Sequence, residues 1–280
     1  YLNSLSTAKM NIAEIAAYLL GILVLVPTAA SLSRLDQWWI RDFDFPRLQI
    51  SILILAVLAY CFYAMDFNTP WEIILVVVIG ISFIYQSIKI YPYTYLAPKQ
   101  VQKYKGTDLE RQISLLVSNV LTTNTNYDKL IQLVIRENPD ILLTLESDKK
   151  WEQELEVIEE EYPYTVKIPL DNLYGMHLYS RLELEDLSVK YLISKEIPSI
   201  HGKVKLRTGE KINFHCLHPK PPSPSEDDTS TNRDAELLMV GKEIDGKHST
   251  LVFGDLNDVA WSRTTRLFRH VSGLLDPRIG

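Results

Sequence analysis

Three long apolar runs lie in the first third of the chain, and they constrain its fold more than any other feature. They extend over about residues 12–32, 48–65 and 71–90. Each is close to the roughly 20 residues that an α-helix needs to cross a hydrocarbon core. The charged residues inside them are Glu14, Glu72 and Lys89, which all lie near a run end. Buried helices of a soluble protein are the alternative, but they would explain one such run better than three in series.

Tryptophan and tyrosine residues mark the ends of these runs. The residues concerned are Trp38, Trp39, Trp71, Tyr91, Tyr93 and Tyr95. Such side chains collect at membrane–water interfaces. We therefore predict a membrane domain over residues 1–90 that has three transmembrane helices and contacts the lipid bilayer. A cleavable signal peptide is not expected, because the first run is long and two more follow it.

Positively charged residues flank the runs unevenly. Three arginines (Arg34, Arg41 and Arg47) lie in the segment between the first two runs, whereas residues 66–70 contain no Lys or Arg. Lys89, Lys99, Lys103 and Lys105 lie at and beyond the end of the third run. Cytoplasmic loops carry the excess of Lys and Arg. This count predicts a multi-pass protein of the cell inner membrane with its remaining domain in the cytoplasm, and extracytoplasmic placement stays open as the alternative.

The rest of the chain has the pattern of an enzyme domain. A polar, proline-containing linker over residues 91–107 precedes it, and residues 108–280 alternate between short apolar strands and amphipathic helices. Strand–helix–strand–helix followed by several strands predicts two packed sheets with helices outside. The predicted strands cover residues 113–118, 140–145, 164–168, 176–181, 187–193, 204–207, 211–217 and 249–253, and the predicted helices cover 127–136, 149–161, 232–244 and 264–270.

The charge of this second part limits its partners. Residues 106–280 contain 21 Lys and Arg against 29 Asp and Glu. Nonspecific nucleic-acid binding depends on displacing counterions with Lys and Arg, so the balance argues against a processive nucleic-acid binder. An acidic domain is suited to collecting divalent cations. The two cysteines, Cys61 and Cys216, provide neither a disulfide framework nor zinc-ligand spacing.

Polar residues follow four of the predicted strands. Asn119, Glu146 and His218 each follow a buried strand, and Asp255 and Asn257 follow the last one in the segment GDLND. Each residue alone has an ordinary interpretation as a turn, a cap or a solvated carboxylate. Their joint appearance at strand ends, where catalytic groups usually lie, favours a single active site.

This set of side chains suits the hydrolysis of phosphoesters. A carboxylate such as Glu146 can hold Mg²⁺, which prefers oxygen ligands, and Mn²⁺ is also possible. Asn119, His218 and Asn257 can hydrogen-bond to phosphate oxygens. Asp255 can orient or deprotonate the attacking water. Bound metal would neutralise charge on the phosphate.

The same segments resemble a known family. NV, PDILLTLE, YGMHLYSRLEL, HPKPP, RDAEL and GDLNDVAWS occur in an order similar to the endonuclease/exonuclease/phosphatase superfamily, from about Ser114 to Gly280, and especially to its bacterial branch with N-terminal transmembrane helices. The resemblance implies a two-sheet α/β sandwich of deoxyribonuclease type. It implies Glu146 as metal ligand with Asn119 in the metal and phosphate shell, and His218, Asp255 and Asn257 as catalytic residues.

The segment YGMHLYSR suggests further site residues. Gly175 suits a close backbone approach, and His177 is expected on the surface or behind the site. Arg181 would lie near the cleft in this family and is a candidate phosphate-binding residue beside Asn257. A strand-edge arginine paired with Glu183 or Glu185 is the alternative.

One departure from the family concerns the end of the chain. Family members close the domain with a late Asp-His segment, whereas this sequence ends at DPRIG. The domain over residues 108–280 is therefore expected to be incomplete at its C-terminus and doubtful in activity. The predicted function is a membrane-anchored, Mg²⁺-dependent phosphoesterase that hydrolyses a phosphodiester or phosphomonoester, with a nuclease as one form of it. A phospholipid or phosphoinositide phosphoesterase and a non-catalytic membrane-tethered binding module are the alternatives, and no obligate protein partner is evident.

Overall fold

The computed structural model describes residues 10–280, so residues 1–9 of the predicted membrane domain lie outside the described part. The chain divides into two compact units. The first comprises the residues up to Val101 together with Asp276–Gly280, and the second comprises Gln102–Leu275.

The first unit is helical. Its helices are α1 (Ile12–Leu32), α2 (Trp38–Arg41), α3 (Arg47–Ala64) and α4 (Pro70–Ile90). Helices α1, α3 and α4 are long and apolar enough to cross a membrane, judged by length and composition. Their bounds agree with the predicted runs to within one residue. Insertion into a bilayer and its orientation stay predictions.

Capping explains the acidic residues near the starts of two of these helices. The Glu14 carboxylate accepts a hydrogen bond from the backbone N–H of Asn11, whose side chain accepts one from the N–H of Glu14, both at 2.8 Å. Glu72 forms the equivalent capping box with Thr69 at the start of α4. These carboxylates satisfy N–H groups that a helix end leaves unpaired. They therefore mark the helix ends.

A buried polar network joins the three long helices. Arg47 is 2% exposed and forms an ion pair with Asp44. Its Nη1 donates to Gln86 Oε1 at 2.7 Å, and Gln86 Nε2 donates to Thr28 Oγ1 at 2.9 Å. Thr28 in turn contacts the Ser82 hydroxyl at 2.6 Å. Hydrogen bonds of this kind hold apolar helices together where hydrophobic association is weak.

The second unit contains two four-stranded sheets. The first has the order β1-β2-β4-β3 and the second the order β5-β6-β7-β8. The strands are β1 (Leu115–Asn119), β2 (Ile141–Leu145), β3 (Tyr164–Ile168), β4 (Met176–Ser180), β5 (Leu184–Lys190), β6 (Ser199–Lys205), β7 (Lys211–Leu217) and β8 (Thr250–Gly254). The helices are α5 (Tyr127–Glu137), α6 (Lys149–Glu154), α7 (Thr231–Glu243) and α8 (Arg263–Ser272).

The two sheets pack face to face around one apolar core. Leu143 and Leu178 of the first sheet belong to the same buried cluster as Ile200 and Phe214 of the second. The outer faces of the two sheets bury apolar side chains of the surrounding helices, Leu130 and Trp151 on the first sheet and Leu237 and Phe268 on the second. Alternation of inward and outward side chains along each strand produces this layering. The structure thus confirms the two-sheet α/β sandwich.

Each sheet contains one parallel pair of strands. β1 runs parallel to β2, with Asn119 opposite Leu145. β7 runs parallel to β8, with Leu217 opposite Gly254. Parallel neighbours present their carboxyl ends at the same edge of a sheet, and ligands of α/β proteins usually bind at such ends. The segments that follow these four strands carry the predicted site residues.

Candidate active site

Asn119 and Glu146 come together at the end of the parallel pair β1–β2. Asn119 Nδ2 donates a hydrogen bond to Glu146 Oε1 at 2.5 Å. Glu146 has a left-handed backbone with φ of 58°, and its carbonyl accepts from the Thr122 hydroxyl at 2.8 Å. A non-glycine residue in this region is strained by about 1 kcal/mol or more, and such strain clusters at functional sites. The turn directs the Glu146 carboxylate out of the strand.

Gly254 and Asp255 end the other parallel pair. Gly254 has φ of 137°, and a Cβ there would overlap the carbonyl oxygen of Leu217 on the neighbouring strand. Only glycine therefore lets β7 and β8 approach at this point. The Asp255 carboxylate, Oδ1, accepts from the backbone N–H of Asn257 at 3.0 Å.

Asn257 connects this loop to the segment after β7. Its backbone is left-handed, with φ of 49°. Its side-chain Nδ2 donates to the carbonyl of Pro219 at 2.9 Å, next to His218. One amide hydrogen of Asn257 is thus used to join two loops, and the second remains for another acceptor.

His218 lies between carboxylates from both sheets. It is 3% exposed, and its Nδ1 has no hydrogen-bond partner among the described residues. Burial lowers the pKa of the His218 imidazole, while the carboxylates of Asp255, Glu146 and Glu226 oppose the shift in that order. The hydrogen bonds thus join Asn119 to Glu146 after the first parallel pair, and join Asn257 to Asp255 and to the residue after His218 beyond the second pair.

Tyr174 and Glu226 belong to this group, although the sequence analysis did not identify them. The Tyr174 ring lies 5.3 Å from the His218 ring, and its hydroxyl donates to Glu226 Oε2 at 2.8 Å. Burial raises the pKa of the Tyr174 phenol, and Glu226 and Glu146 raise it further. Lys220 approaches Glu226 at 4.0 Å. No spacing in the sequence indicated this contact, which joins residues 52 positions apart.

Gly175 confirms the close backbone approach that the sequence predicts. A Cβ at this position would overlap the carbonyl oxygen of Ser147, and the Ser147 N–H donates to the Gly175 carbonyl at 3.2 Å. Glycine here holds the segment after β2 against the start of β4. It thereby supports the backbone next to Glu146.

The structure does not place Arg181 at the site. β4 is antiparallel to β2, so Met176 lies opposite Leu145 and Ser180 lies opposite Ile141. Arg181 is therefore at the end of β2 away from Glu146: its N–H donates to the carbonyl of Asp140, six residues or ~20 Å along the strand from Glu146. It forms an ion pair with Glu161, and its guanidinium stacks on the Tyr162 ring at 4.7 Å. The phosphate-binding role of Arg181 therefore stays a prediction without support from this geometry, and the alternative partner is Glu161 instead of Glu183 or Glu185.

Of the two positions expected for His177, on the surface or behind the site, the surface position is wrong. The ring is fully buried, and its two nitrogens have no hydrogen-bond partner within residues 10–280. The side chain lies on the helix-covered face of the first sheet beside Tyr179, with ring centroids 6.2 Å apart. Burial lowers the pKa of His177 to about 4. The alternation along β4 was correct, but helix cover buries both of its faces.

The donor atoms at the site suit a hard divalent cation. Residues 10–280 contain no group of three or more His, Cys, Asp and Glu side chains arranged to hold a metal ion. Glu146 nevertheless offers a half-buried carboxylate oxygen, and Asp255 is a second carboxylate nearby. Mg²⁺ takes one or two carboxylates and retains several waters, so it does not require a full protein cage. The carboxylates of Glu146, Asp255 and Glu226 would repel a negatively charged phosphate. A bound cation would offset this repulsion.

The fold belongs to the class of two-layer α/β sandwiches. The family model described as Endonuclease/Exonuclease/phosphatase family matches residues 116–278. The chain belongs to this family. Its members hydrolyse phosphoester bonds, so the match supports a phosphoesterase in general. No curated protein matches the sequence.

Several solved structures have a similar fold. Humanized D. rerio TDP2 is 18% identical, with a TM-score of 0.45, over 53% of this chain and 64% of that one. The endonuclease/exonuclease/phosphatase from Beutenbergia cavernae is 14% identical, with a TM-score of 0.48, over 57% and 53%. The corresponding protein from Bacteroides vulgatus is 18% identical, with a TM-score of 0.46, over 56% and 70%. The chain thus spans less than two thirds of the length of the first two of these proteins.

Proposed function

We propose that the protein is a membrane-anchored phosphoesterase that uses Mg²⁺, or Mn²⁺, to hydrolyse a phosphodiester or phosphomonoester. The observation that carries the proposal is that Glu146, His218 and Asp255 each follow a strand of the two parallel pairs, one pair in each sheet. Asn119 and Asn257 hydrogen-bond to these residues or to their immediate neighbours. Catalytic groups placed on several strand ends of a rigid scaffold are typical of enzyme sites.

Glu146 is the residue that would hold the metal ion. Asn119 orients its carboxylate through the hydrogen bond to Oε1 and fixes which oxygen remains free. When bound, the metal would neutralise charge on the phosphate and stabilise the leaving oxygen. Water molecules would complete the set of ligands around such a cation, as is common for Mg²⁺.

Asp255 and His218 would act on the reacting groups. The Asn257 N–H holds Asp255 Oδ1, which leaves Oδ2 to orient and deprotonate the attacking water. A base within hydrogen-bond reach of that water contributes about 10²–10⁴-fold to the rate. His218 can donate from an imidazole nitrogen to a phosphate oxygen, and Asn257 has one amide hydrogen left for the same purpose.

The membrane anchor favours one alternative substrate, a phospholipid or phosphoinositide head group. Helices α1, α3 and α4 have the length and composition to cross a bilayer, which would keep the site near lipid. The acidic charge of the second unit opposes binding to long nucleic acids. A nuclease and a non-catalytic tethered module remain the competing proposals. The positive-charge count favours an enzyme domain in the cytoplasm at the inner membrane, with extracytoplasmic placement as the alternative.

The test is hydrolysis of bis-p-nitrophenyl phosphate by the purified full-length protein in detergent. We expect turnover with Mg²⁺ or Mn²⁺, none with excess chelator, and loss of at least ~100-fold in Glu146→Gln and Asp255→Asn. Glu243→Gln is the control, because Glu243 pairs with Lys190 outside the site. Unchanged rates in chelator or in both site variants would refute the assignment. A panel of plasmid DNA, RNA and phospholipid then separates the substrate classes.

A further inference from the structure

Arg233 is a buried arginine on α7 that the proposed chemistry does not use. It is 3% exposed. Its guanidinium contacts Asp234 at 2.9 Å and the Asp258 carboxylate at 3.5 Å. Its Nη1 also donates to the backbone carbonyl of Asn257 at 2.7 Å. A buried guanidinium requires partners for its donors, and here three groups from two segments supply them.

The contact with Asn257 links Arg233 to the site. The N–H of Asn257 binds the Asp255 carboxylate at 3.0 Å, and the side chain of Asn257 binds the Pro219 carbonyl at 2.9 Å. Asn257 also has the left-handed φ of 49°, a conformation that its surroundings must hold. Arg233 therefore acts on a residue that joins Asp255 to the segment carrying His218.

Asp258 fixes the other side of the same loop. Its Oδ2 accepts from the Ser262 hydroxyl and from Thr265 Oγ1, the latter at 2.9 Å, and Ser262 caps α8. Burial raises the pKa of the Asp258 carboxyl, and Arg233 opposes that shift. The ion pair thus stabilises the loop, and its Arg233 Nη1 atom is the one that also donates to the Asn257 carbonyl.

We propose that Arg233 is a positioning residue for hydrolysis, acting through the Asn257 carbonyl on the placement of Asp255 and His218. This inference rests on the proposed function. A displacement of about 1 Å in a reacting group can lower a rate by ~100-fold. The hydrogen bond to Asn257, and not the charge of the ion pair, is the part that matters for the rate.

Two variants separate positioning from stability. Asp258→Asn removes the ion pair and retains the hydrogen bond from Arg233 to the Asn257 carbonyl. Arg233→Met combined with Asp258→Asn removes both and leaves no unpaired buried carboxylate, which by itself would be strongly destabilising. Both variants also carry Asp234→Asn, which removes the second ion pair of Arg233. Comparison of the two then isolates the contact with Asn257, because neither contains an ion pair of Arg233.

The full-length protein in detergent is assayed with bis-p-nitrophenyl phosphate, and hydrogen–deuterium exchange of residues 254–258 is measured in parallel. We expect the variant with Arg233→Met to lose ~10–100-fold in kcat relative to the variant without it, with KM within about threefold. Its loop should exchange faster than that of the other variant. Equal kcat and equal exchange in the two variants would overturn the inference. A lower kcat/KM that comes from a higher KM, with kcat unchanged, would also overturn it. A wild-type protein inactive on every substrate would refute the proposed function, and the exchange comparison would still decide the role of Arg233.

Discussion

Asn119 and Glu146 lie at the ends of two neighbouring parallel strands and are joined by a hydrogen bond of 2.5 Å from Nδ2 to Oε1. Glu146 has already left the strand conformation, with φ of 58°. The left-handed backbone of Glu146 and the side-chain amide of Asn119 together orient the Glu146 carboxylate. This is how a metal ligand is oriented in proteins, by a hydrogen bond from a neighbouring side chain.

Removal of this amide should weaken metal use without unfolding the protein. We expect Asn119→Ala to lower affinity for Mg²⁺ or kcat by ~10–100-fold, the usual effect of losing a partner that orients a metal ligand. The measurement is the dependence of hydrolysis on Mg²⁺ concentration. Asn126→Ala is the matched control, since the exposed Asn126 bonds only within its own turn, to Asn124. Equal effects of the two changes would contradict the account.

Glycine at position 254 should be required for the approach of β7 and β8. Gly254→Ala combines a positive φ with overlap against the Leu217 carbonyl, so we expect a loss of at least ~2 kcal/mol in the free energy of unfolding. Gly209→Ala has a positive φ but open space around it and should lose about 1 kcal/mol. Denaturant unfolding measures both. Similar losses of stability in the two variants would show that the backbone shifts to relieve the overlap between a Cβ at position 254 and the Leu217 carbonyl, and would contradict the requirement for glycine.

Glu236 should make the stability of the second unit depend on pH. It is 3% exposed, its Oε1 has no hydrogen-bond partner in the described chain, and burial raises its pKa to about 7. The pKa of Glu236 in the folded protein exceeds the ordinary value of 4.5. The protonated carboxyl therefore contributes its full stabilisation below pH 4.5, and this stabilisation is lost as the pH rises through about 7.

The variant Glu236→Gln removes this ionisation. We expect it to stabilise the protein above pH 7 by up to ~3 kcal/mol and to change little near pH 4. Denaturant unfolding at the two pH values is the measurement, and Glu137→Gln, on an exposed face of α5, is the control. A pH-independent effect would show that the Glu236 carboxyl is not shifted.

Arg47 should be essential to the packing of the first unit. Arg47→Met removes one of the two ion pairs of the buried Asp44 and leaves Arg41, 3.4 Å away, as the other. Breaking a buried pair outright costs about 3–5 kcal/mol in soluble proteins, and the pair with Arg41 should reduce that loss. Arg47→Met combined with Asp44→Asn should recover part of that loss. Unfolding of the helices in mixed micelles measures both. No recovery in the double variant would mean that the contact from Arg47 to Gln86 dominates.

Much of the fold could be predicted from periodicity, but local irregularities could not. β5 was predicted over residues 187–193 and lies at Leu184–Lys190, because a bulge with Asp186 at φ of 49° shifts its register against β6. β6 was predicted only from Val204 and begins at Ser199. Its first half places Ser199 and His201 on the outer face and Gly202 on the inner one, so it lacks the apolar signal of a strand.

The candidate site shows the same limit. Strand-end residues could be found because each follows a short apolar run. The position of Arg181 depends on β4 being antiparallel, and direction cannot be read from an apolar run alone. Tyr174 and Glu226 meet through tertiary packing of a loop that has no periodicity. Arg233 was visible at the start of a helix, but its contact with the Asn257 carbonyl was not.

Binding of Mn²⁺ tests the central claim most directly, because Glu146 is proposed to hold the cation. Electron paramagnetic resonance of the full-length protein can be used to titrate Mn²⁺ against wild type, Glu146→Gln and the control Glu243→Gln. We predict one bound ion in wild type and the control, and affinity at least ~10-fold weaker in Glu146→Gln. Equal affinity in all three proteins would contradict the assignment of Glu146 and the site built around it.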